Sequence, residues 1–206
     1  MPIYTKKPSS AKATEGQGVK IYTKKGDRGK TRTFYGEMSK SDVLAEALGA
    51  IDELNSYIGV CRYQLINTKF EYLSSKQIRK SNFQISNINI ELRRIQGNLL
   101  TIGSCMAGSK KRLRDGEIKR LEKLIDKLTK ELPPLKNFIY PVGEMQVARA
   151  VARRCERRVV QFTSLPVNQL RNKNIIKYLN RLSDALFTVA RWVNFKKGLE
   201  EEVWGK

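Results

Sequence analysis

Apolar side chains recur at intervals of three and four residues along most of the chain after residue 40. Five segments have this spacing, at approximately residues 41–64, 83–106, 115–132, 144–163 and from 172 onward. In the first segment the apolar series is Leu44, Ala47, Leu48, Ile51, Leu54 and Ile58. This spacing gathers apolar side chains on one face of an α-helix, and no strand-like alternation of useful length is visible. The sequence therefore predicts an all-α fold, a five-helix bundle with moderate connections.

Residues typical of helix ends support these boundaries. Ser41 or Asp42 suits the N-cap of the first helix, because a short polar side chain can accept a hydrogen bond from a free backbone N–H there. The polar stretch around residues 67–82 is expected to connect the first two helices. Pro133 and Pro134 are expected to stop the third helix, because proline lacks the N–H donor that a helix interior needs.

The charge of the chain indicates an anionic partner. Its 206 residues carry a formal net charge of +20. A chain of this length can bury a substantial core as one domain. The excess of lysine and arginine predicts attraction to nucleic acid, to an anionic membrane surface or to a polyphosphate ligand, and charge alone does not choose among them.

Cysteine and histidine content restricts the chemistry. Three scattered cysteines, Cys61, Cys105 and Cys155, form no C-x-x-C pair, so we expect a reducing compartment, the cytoplasm or the mitochondrial matrix. The chain has no histidine, which excludes a histidine general base or metal ligand, and we expect no metal site built from protein ligands. No apolar run approaches the roughly 18 residues that a membrane helix requires, so we expect a soluble protein with no membrane partner.

The two ends of the chain differ from its centre. Residues 1–19 are rich in Ser, Ala, Gly and Lys and are expected to form a flexible basic N-terminal tail. Whether this tail is a transit peptide stays open, since it lacks arginine and a clear amphipathic period. Residues 20–200 are expected to form the helical domain, and residues 201–206 a short C-terminal tail.

One stretch before the first helix has residue types suited to phosphate. Residues 20–31 read KIYTKKGDRGKT. Glycine lets the backbone approach a ligand, successive N–H groups in a turn can surround an anion, and lysine adds positive charge. The spacing does not fit a Walker loop. A solvated basic loop is the alternative interpretation, and composition alone does not exclude it.

A second concentration of charge lies in the fourth helical segment. Arg149, Arg153 and Arg157 are spaced four residues apart and therefore share one helix face, with Arg154 and Arg158 beside them. Like charges repel unless an anion lies among them, and the planar guanidinium group suits phosphate oxygens. The alternatives are a solvated basic face or pairing with carboxylates of neighbouring helices.

Polar side chains also follow parts of the first and fifth segments. In YLNRLSDALFTVAR of the fifth segment, a polar and aromatic stripe consists of Asn180, Ser183, Asp184, Phe187 and Arg191. In AIDELNSYIG of the first segment, the carboxylates of Asp52 and Glu53 could face arginines of the fourth. Each stripe alone is compatible with an ordinary amphipathic helix. Together they predict a polar site between helices.

Four motifs, KIYTKKGDRGKT, AIDELNSYIG, ARAVARRCERR and YLNRLSDALFTVAR, follow one another along the chain. Over about residues 20–197 this arrangement resembles the PduO-type ATP:cob(I)alamin adenosyltransferases. The resemblance implies a five-helix bundle with an extended N-terminal phosphate-binding segment. It also implies a homotrimer with active sites between adjacent subunits, where ATP with Mg²⁺ meets cobalamin as the second substrate.

The resemblance assigns roles to residues of this sequence. Those that match the phosphate loop and the lysine after it are Thr23, Lys24, Gly26, Asp27, Gly29, Thr31 and Lys40. Those that match the ATP contacts of the two late helices are Arg153, Arg154, Glu156, Arg157 and Asn180. Asp52 and Arg149 match a salt-bridged pair across the subunit interface. Phe138 matches the aromatic under the cobalt, and Phe187 matches another aromatic near the corrin. The expected catalytic residues are accordingly Phe138, Arg153, Asp52 and Arg149.

The chemistry that the resemblance implies needs no nucleophile from the protein. Cob(I)alamin attacks the 5′ carbon of ATP and triphosphate leaves, so the protein orients the reactants and stabilises charge on the leaving group.

Two departures from the family pattern keep other functions open. Val142 stands where the family has glycine, and the stretch from Pro141 to Arg149 is shorter than in the family. One alternative is therefore an ATP-binding trimer that has lost or changed the corrinoid activity. The other is a basic helical RNA-binding protein, although only 8% of residues are aromatic and no RNA-binding motif is visible, which makes nucleic acid the less favoured partner.

Overall fold

Five α-helices follow one short antiparallel hairpin. A computed structural model describes residues 22–67, 75–164 and 173–205. The elements are β1 (Lys30–Thr33), β2 (Gly36–Ser39), α1 (Val43–Ile66), α2 (Ser75–Met106), α3 (Gly116–Thr129), α4 (Glu144–Thr163) and α5 (Asn174–Lys196). The predicted all-α five-helix fold is confirmed. The predicted tail at residues 1–19 and the first two residues of the loop motif lie outside the described ranges.

The first helix begins where the sequence places its cap. The Asp42 carboxylate accepts a hydrogen bond from the Leu44 N–H at 2.8 Å, so Asp42 is the N-cap of α1. Most of the apolar series predicted for this helix is buried, and Leu54 and Ile58 are fully enclosed. The three-to-four spacing therefore marks the face that packs into the core.

Each helix packs mainly against one or two neighbours, in the order α2, α1, α4, α5, α3. α1 packs against α2 and α4, α4 also packs against α5, and α5 packs against α3. α5 is buried around most of its circumference and supplies the largest fully enclosed side chains, Trp192 and Tyr178. In the ranges that the structure describes, no helix is both long and apolar enough to cross a membrane.

The hairpin adds two short strands to the predicted all-α fold. β1 and β2 pair in antiparallel register, with Phe34 and Tyr35 at the turn. The Phe34 N–H donates to the Ala107 carbonyl at 3.0 Å, which fixes the hairpin to the end of α2. Two strands of four mostly polar residues present too little apolar alternation to be found from the sequence.

Two predicted helix boundaries are also wrong. α2 begins at Ser75, although residues up to 82 were expected to form a connection. Lysine, glutamine and arginine favour helices even without an apolar stripe, so periodicity alone places this start too late. α3 ends at Thr129 rather than at Leu132. Proline restricts the residue before it as well as itself, so a helix commonly ends ahead of a Pro-Pro pair.

After α5 the chain returns along the connection between α3 and α4. Ile139 and Val203 form an antiparallel bridge. The Tyr140 N–H donates to the Glu202 carbonyl, and the Trp204 N–H donates to the Phe138 carbonyl, both at 2.9 Å. The residues expected to form a short C-terminal tail therefore lie beside Phe138, one of the predicted site residues.

Candidate active site

The loop before the hairpin folds into consecutive turns. The Asp27 N–H donates to the Lys24 carbonyl at 3.4 Å, and the Gly29 N–H donates to the Gly26 carbonyl at 3.2 Å. Lys24 and Gly29 have φ angles of 57° and 71°, in the left-handed region. Turns of this kind direct successive N–H groups to one side, where they can surround an anion. A lysine rarely adopts a positive φ, which points to a functional constraint on the loop.

Lys40 lies against this loop from the end of β2. Its N–H donates to the Gly29 carbonyl at 2.8 Å. Its Nζ is so close to Gly26 that a Cβ built there would lie 3.1 Å from it. Gly26 therefore leaves room for the ammonium group. The structure thus places Gly26 and Gly29 of the predicted loop next to the predicted lysine.

The loop keeps an excess of positive charge. Lys30 pairs with Glu37 across the hairpin at 2.7 Å. Their hydrogen bond raises the pKa of Lys30 and lowers the pKa of Glu37. No ion pair with another described residue neutralises Lys24, Lys25 or Lys40. The loop therefore presents several ammonium groups suited to an anionic ligand.

Two of the α4 arginines are neutralised within the chain. Arg154 pairs with Glu53 of α1, and Arg158 pairs with Glu46 of α1 at 3.2 Å. The predicted pairing with carboxylates of a neighbouring helix is therefore confirmed for Arg154, through Glu53. Both pairs are largely solvent-exposed, so each contributes little to stability.

The remaining arginines of α4 form the predicted stripe of positive charge. Among the described residues, Arg149, Arg153 and Arg157 form no ion pair. Arg149 Nε donates to Gln146 Oε1 at 2.9 Å, and its guanidinium carbon lies 5.8 Å from the centre of the Phe187 ring. Arg149 is thus oriented by neutral neighbours, and the stripe keeps its charge for a ligand.

A cleft of about 290 Å³ lies beside this stripe. Its lining residues are Leu135, Asn137, Phe138, Ile139, Pro141, Gln146, Arg149, Arg153, Ser183, Asp184 and Phe187. Four predicted site residues, Phe138, Arg149, Arg153 and Phe187, thus meet at one cleft. Phe138 is 81% exposed, so the connection before α4 presents its ring to the solvent side. The cleft is small for a whole nucleotide or corrinoid and suits part of one.

The other predicted residues of the late helices lie close to the stripe. Asn180 Nδ2 donates to Glu156 Oε1 at 3.2 Å, which joins α5 to α4 beside Arg153 and Arg157. Asp52 is exposed on α1 and forms no ion pair with another described residue. The structure of one chain therefore leaves both members of the predicted Asp52–Arg149 pair without an ionic partner in the described ranges.

The loop and the cleft lie at different levels of the bundle. Lys40 and the hairpin precede the N-terminus of α1, whereas Glu53, which pairs with Arg154, lies about 15 Å along this helix from Val43 at 1.5 Å per residue. No hydrogen bond or ion pair found among the described residues joins the loop to α4. Within one chain, the loop and the cleft are therefore two separate parts of the predicted site.

The turn before α4 tolerates the valine that replaces a glycine of the family pattern. Gly143, the next residue, has a φ of 93°, whereas Val142 lies outside the left-handed region. The Val142 carbonyl accepts a hydrogen bond from Asn194 Nδ2 at 3.0 Å. Because the retained glycine takes the conformation that valine would resist, Val142 does not force a strained turn.

Gln146 and Asn137 line the cleft although the sequence reasoning did not single them out. Gln146 is 5% exposed and orients Arg149. Gln146 precedes Arg149 by three residues, a spacing that places both side chains on one helix face, so the sequence alone could have indicated this contact. Asn137 lies in an irregular connection, where no periodic pattern indicates which side chains face a cleft.

Neither a cluster of metal-ligating side chains nor an activated buried thiol lies in the described part of the molecule. There, no group of three His, Cys, Asp or Glu side chains is arranged to hold a metal ion. Burial raises the pKa of Cys61 and of Cys155 to about 12, so neither thiol is a thiolate nucleophile at neutral pH.

Five packed helices with an arginine-lined cleft and a separate cationic loop define an all-α helical-bundle protein with a site for an anionic ligand. The sequence model described as "Cobalamin adenosyltransferase" matches residues 21–193, and the chain belongs to this family.

Named relatives and solved structures agree with this membership. Corrinoid adenosyltransferase MMAB of Mus musculus is 38% identical, over 97% of this chain and 81% of its own length. The corrinoid adenosyltransferase of Bacillus subtilis is 36% identical, over 88% of this chain and 90% of its own length. A variant PduO-type ATP:corrinoid adenosyltransferase of Lactobacillus reuteri, complexed with cobalamin and ATP, superimposes with a TM-score of 0.76. It is 30% identical and covers 91% of this chain and 100% of its own.

Proposed function

We propose that this protein transfers the 5′-deoxyadenosyl group of ATP to cob(I)alamin, giving adenosylcobalamin and triphosphate. The observation that carries this proposal is the cleft, where the two aromatics Phe138 and Phe187 meet Arg149 and Arg153. The cleft thus combines an apolar surface for a corrin with cations for a phosphate chain. Family membership supports the same activity.

On the ATP side, the protein's task is to hold the triphosphate and stabilise the charge that it gains on leaving. Arg153 and Arg157 bring guanidinium groups that form no ion pair with another described residue, and Asn180 and Glu156 flank them. The loop from Thr23 to Thr31 adds backbone N–H groups and ammonium groups. Preorganised donors of this kind stabilise developing negative charge without a general acid.

Mg²⁺ is proposed to accompany ATP rather than to reside in the protein. Mg²⁺ prefers oxygen ligands and usually combines one or two protein oxygens with phosphates and water. The hydroxyls of Thr23 and Thr31 and the carboxylate of Asp27 are ligands of that type in the loop. They would hold the ion against the phosphates, where it neutralises charge on the leaving group.

On the corrinoid side, Phe138 is proposed to lie under the cobalt and Phe187 beside the ring. An aromatic ring that is 81% exposed would remain in water without a ligand to cover it. The face of a corrin offers an apolar surface against which this ring could pack. An aromatic cap in place of a lower ligand also agrees with a chain that has no histidine.

A homotrimer with sites between subunits is proposed as the working assembly. Its support is the separation of the loop from the cleft within one chain, because a neighbouring copy can supply the missing half. Asp52 and Arg149 would then pair across the interface. The free, partly or fully buried cysteines Cys61, Cys105 and Cys155 fit a reducing compartment, the cytoplasm or the mitochondrial matrix.

The decisive experiment is an adenosylation assay with purified protein, MgATP and chemically reduced cobalamin. We expect the absorbance spectrum of adenosylcobalamin to appear only when ATP and protein are both present. ATP binding without product would favour an ATP-binding relative that has lost the corrinoid activity. If the protein neither binds ATP nor forms product, a salt-titrated RNA-binding assay becomes the next test, because a charge of +20 alone favours polyanions.

A further inference from the structure

Arg191 of α5 is a buried charge to which the proposed reaction gives no direct role. Only 6% of this residue is exposed. Its Nε and Nη2 atoms donate to the two carboxylate oxygens of Glu201 at 2.5 and 2.9 Å, and Nη2 also donates to the Pro133 carbonyl at 2.9 Å. A buried guanidinium is tolerated only with partners of this kind. Arg191 therefore ties α5 to two other parts of the chain.

One of these parts is the C-terminal segment, residues 199–205, which holds the connection that carries Phe138. The Trp204 N–H donates to the Phe138 carbonyl, and the Tyr140 N–H donates to the Glu202 carbonyl, each at 2.9 Å. Because the Phe138 ring is 81% exposed, its own packing fixes it weakly. These backbone hydrogen bonds therefore help to fix the backbone from which the ring projects.

The second aromatic of the cleft depends on the same guanidinium. The Cζ atom of Arg191 lies 6.0 Å from the centre of the Phe187 ring, and the Cζ atom of Arg149 lies 5.8 Å from it. Contacts of a guanidinium with an aromatic face at this range are favourable. Glu201, which fixes Arg191, thus acts on Phe187 through Arg191 and on Phe138 through the C-terminal segment.

We propose that Arg191 and Glu201 are positioning residues. Their pair holds the C-terminal segment against the connection between α3 and α4 and thereby sets the places of Phe138 and Phe187. This inference rests on the proposed function, since it assigns both rings to the corrinoid substrate. Small displacements of groups that position a substrate can slow a reaction strongly, so loosening the pair acts on the corrinoid step.

Glu201→Gln tests the pair with little change of shape, and Glu200→Gln is the matched control on an exposed neighbour. Each variant is assayed with ATP and cob(I)alamin varied in turn. We expect Glu201→Gln to lower kcat/KM for cob(I)alamin about tenfold or more and to leave KM for ATP within about twofold of wild type. We expect Glu200→Gln to behave as wild type. A purely structural weakening would lower affinity for both substrates together.

A second pair of variants tests the backbone contact without touching the ion pair. Trp204→Pro removes both the indole and the N–H that donates to Phe138, whereas Trp204→Ala removes the indole alone. Amide hydrogen exchange at Tyr140 reports whether the connection stays held. We expect faster exchange and slower adenosylation in Trp204→Pro, and wild-type behaviour in Trp204→Ala.

The outcomes separate the two proposals. An active wild type whose Glu201→Gln variant matches Glu200→Gln, or loses ATP and corrinoid affinity equally, overturns the positioning role. Unchanged Tyr140 exchange in both Glu201→Gln and Trp204→Pro overturns it as well. An inactive wild type overturns the proposed function, and the exchange rates then test only whether the pair holds the connection.

Discussion

Two arginines that are adjacent in the sequence, Arg153 and Arg154, have opposite surroundings. Arg154 pairs with Glu53, whereas Arg153 lines the cleft and forms no ion pair within the described ranges. Neighbouring residues of a helix point about 100° apart, so a carboxylate on α1 can reach one and not the other. The stripe of charge is thus divided residue by residue into arginines neutralised in the chain and arginines left for a ligand.

This division predicts the effect of removing single arginines. Arg153→Ala should weaken ATP binding by about 1.5–3 kcal/mol, the usual loss for a hydrogen bond to a charged group. Arg158→Ala, on the same helix but paired with Glu46, is the control and should leave ATP affinity nearly unchanged. Titration calorimetry measures both, and thermal unfolding should be almost unaffected in both. Equal ATP affinity in the two variants would remove Arg153 from the site.

Replacing Phe138 should impair the reaction with cob(I)alamin without impairing ATP binding. Phe138→Ala is expected to slow adenosylation by at least about tenfold, because the cap on the lower face of the corrin is lost. ATP affinity and thermal stability should stay close to wild type, since the ring is 81% exposed and supports no core. Single-turnover assays with reduced cobalamin and calorimetry with ATP provide the two readouts. An unchanged turnover would assign the ring to another role.

At the scale of the helix, apolar periodicity is enough to place five helices and the core, because burial repeats every three to four residues. The same signal cannot find the hairpin or the start of α2 at Ser75, since neither has an apolar alternation to read. Motif resemblance supplied four residues of the cleft, Phe138, Arg149, Arg153 and Phe187. Neither periodicity nor motif resemblance indicates that Glu201 pairs with Arg191, because this contact depends on how an irregular segment packs.

The polar contacts that join α3 to α2 and α5 surround Glu117, which is 6% exposed. Glu117 Oε2 accepts hydrogen bonds from Arg94 Nε and Asn98 Nδ2, both at 2.8 Å, and Asn98 also donates to the Tyr178 hydroxyl at 3.1 Å. The hydrogen bond from Arg94 is the main cause that lowers the pKa of Glu117, while burial opposes it. A buried carboxylate is thus held in its charged form between three helices.

Glu117→Gln should therefore destabilise the bundle in a pH-dependent way. A folded-state pKa below the ordinary 4.5 means that the charged form stabilises the fold above pH 4.5, and that this contribution is lost as the pH falls below 4.5. We expect the free energy of unfolding to fall by about 1–3 kcal/mol at pH 7, and this loss to become smaller as the pH falls below 4.5. Glu122→Gln, in an exposed pair with Arg181, should cost no more than about 1 kcal/mol. Urea unfolding at several pH values measures both variants. A difference in stability between Glu117→Gln and wild type that does not change with pH would contradict the role of the charged form.

At the scale of the whole molecule, the cationic loop and the arginine-lined cleft are, in the proposed assembly, the two halves of one site, and no hydrogen bond or ion pair among the described residues joins them within one chain. Each half carries positive charge in a chain of net charge +20, so the halves repel unless an anion lies between them. A triphosphate shared by two copies would both fill the site and hold the copies together. Assembly and ATP binding should accordingly be coupled.

Charge reversal tests the proposed contact between copies. Asp52→Arg or Arg149→Asp alone should reduce the trimer fraction, because each puts like charges in contact at the interface. The double variant should restore much of that fraction, since the pair is re-formed with its charges exchanged. Glu122→Arg, which breaks a pair between α3 and α5 instead, is the control and should leave the mass unchanged. Light scattering that finds trimers in every variant would exclude this pair from the interface.

Complementation between two inactive variants tests whether the site is shared. Lys40→Ala impairs the loop and Arg153→Ala impairs the cleft, so either homotrimer should lose most of its activity. If each site takes its loop from one chain and its arginine from the next, co-expression with separable tags allows mixed trimers to be purified, and about a third of their sites contain both intact halves. Activity should then recover to about that fraction of wild type, as measured by adenosylcobalamin formation per trimer. Co-expression of two differently tagged Arg153→Ala chains is the control and should recover nothing. Mixed trimers that stay as inactive as their parents would mean that each chain builds its site alone, because every site then carries one of the two defects.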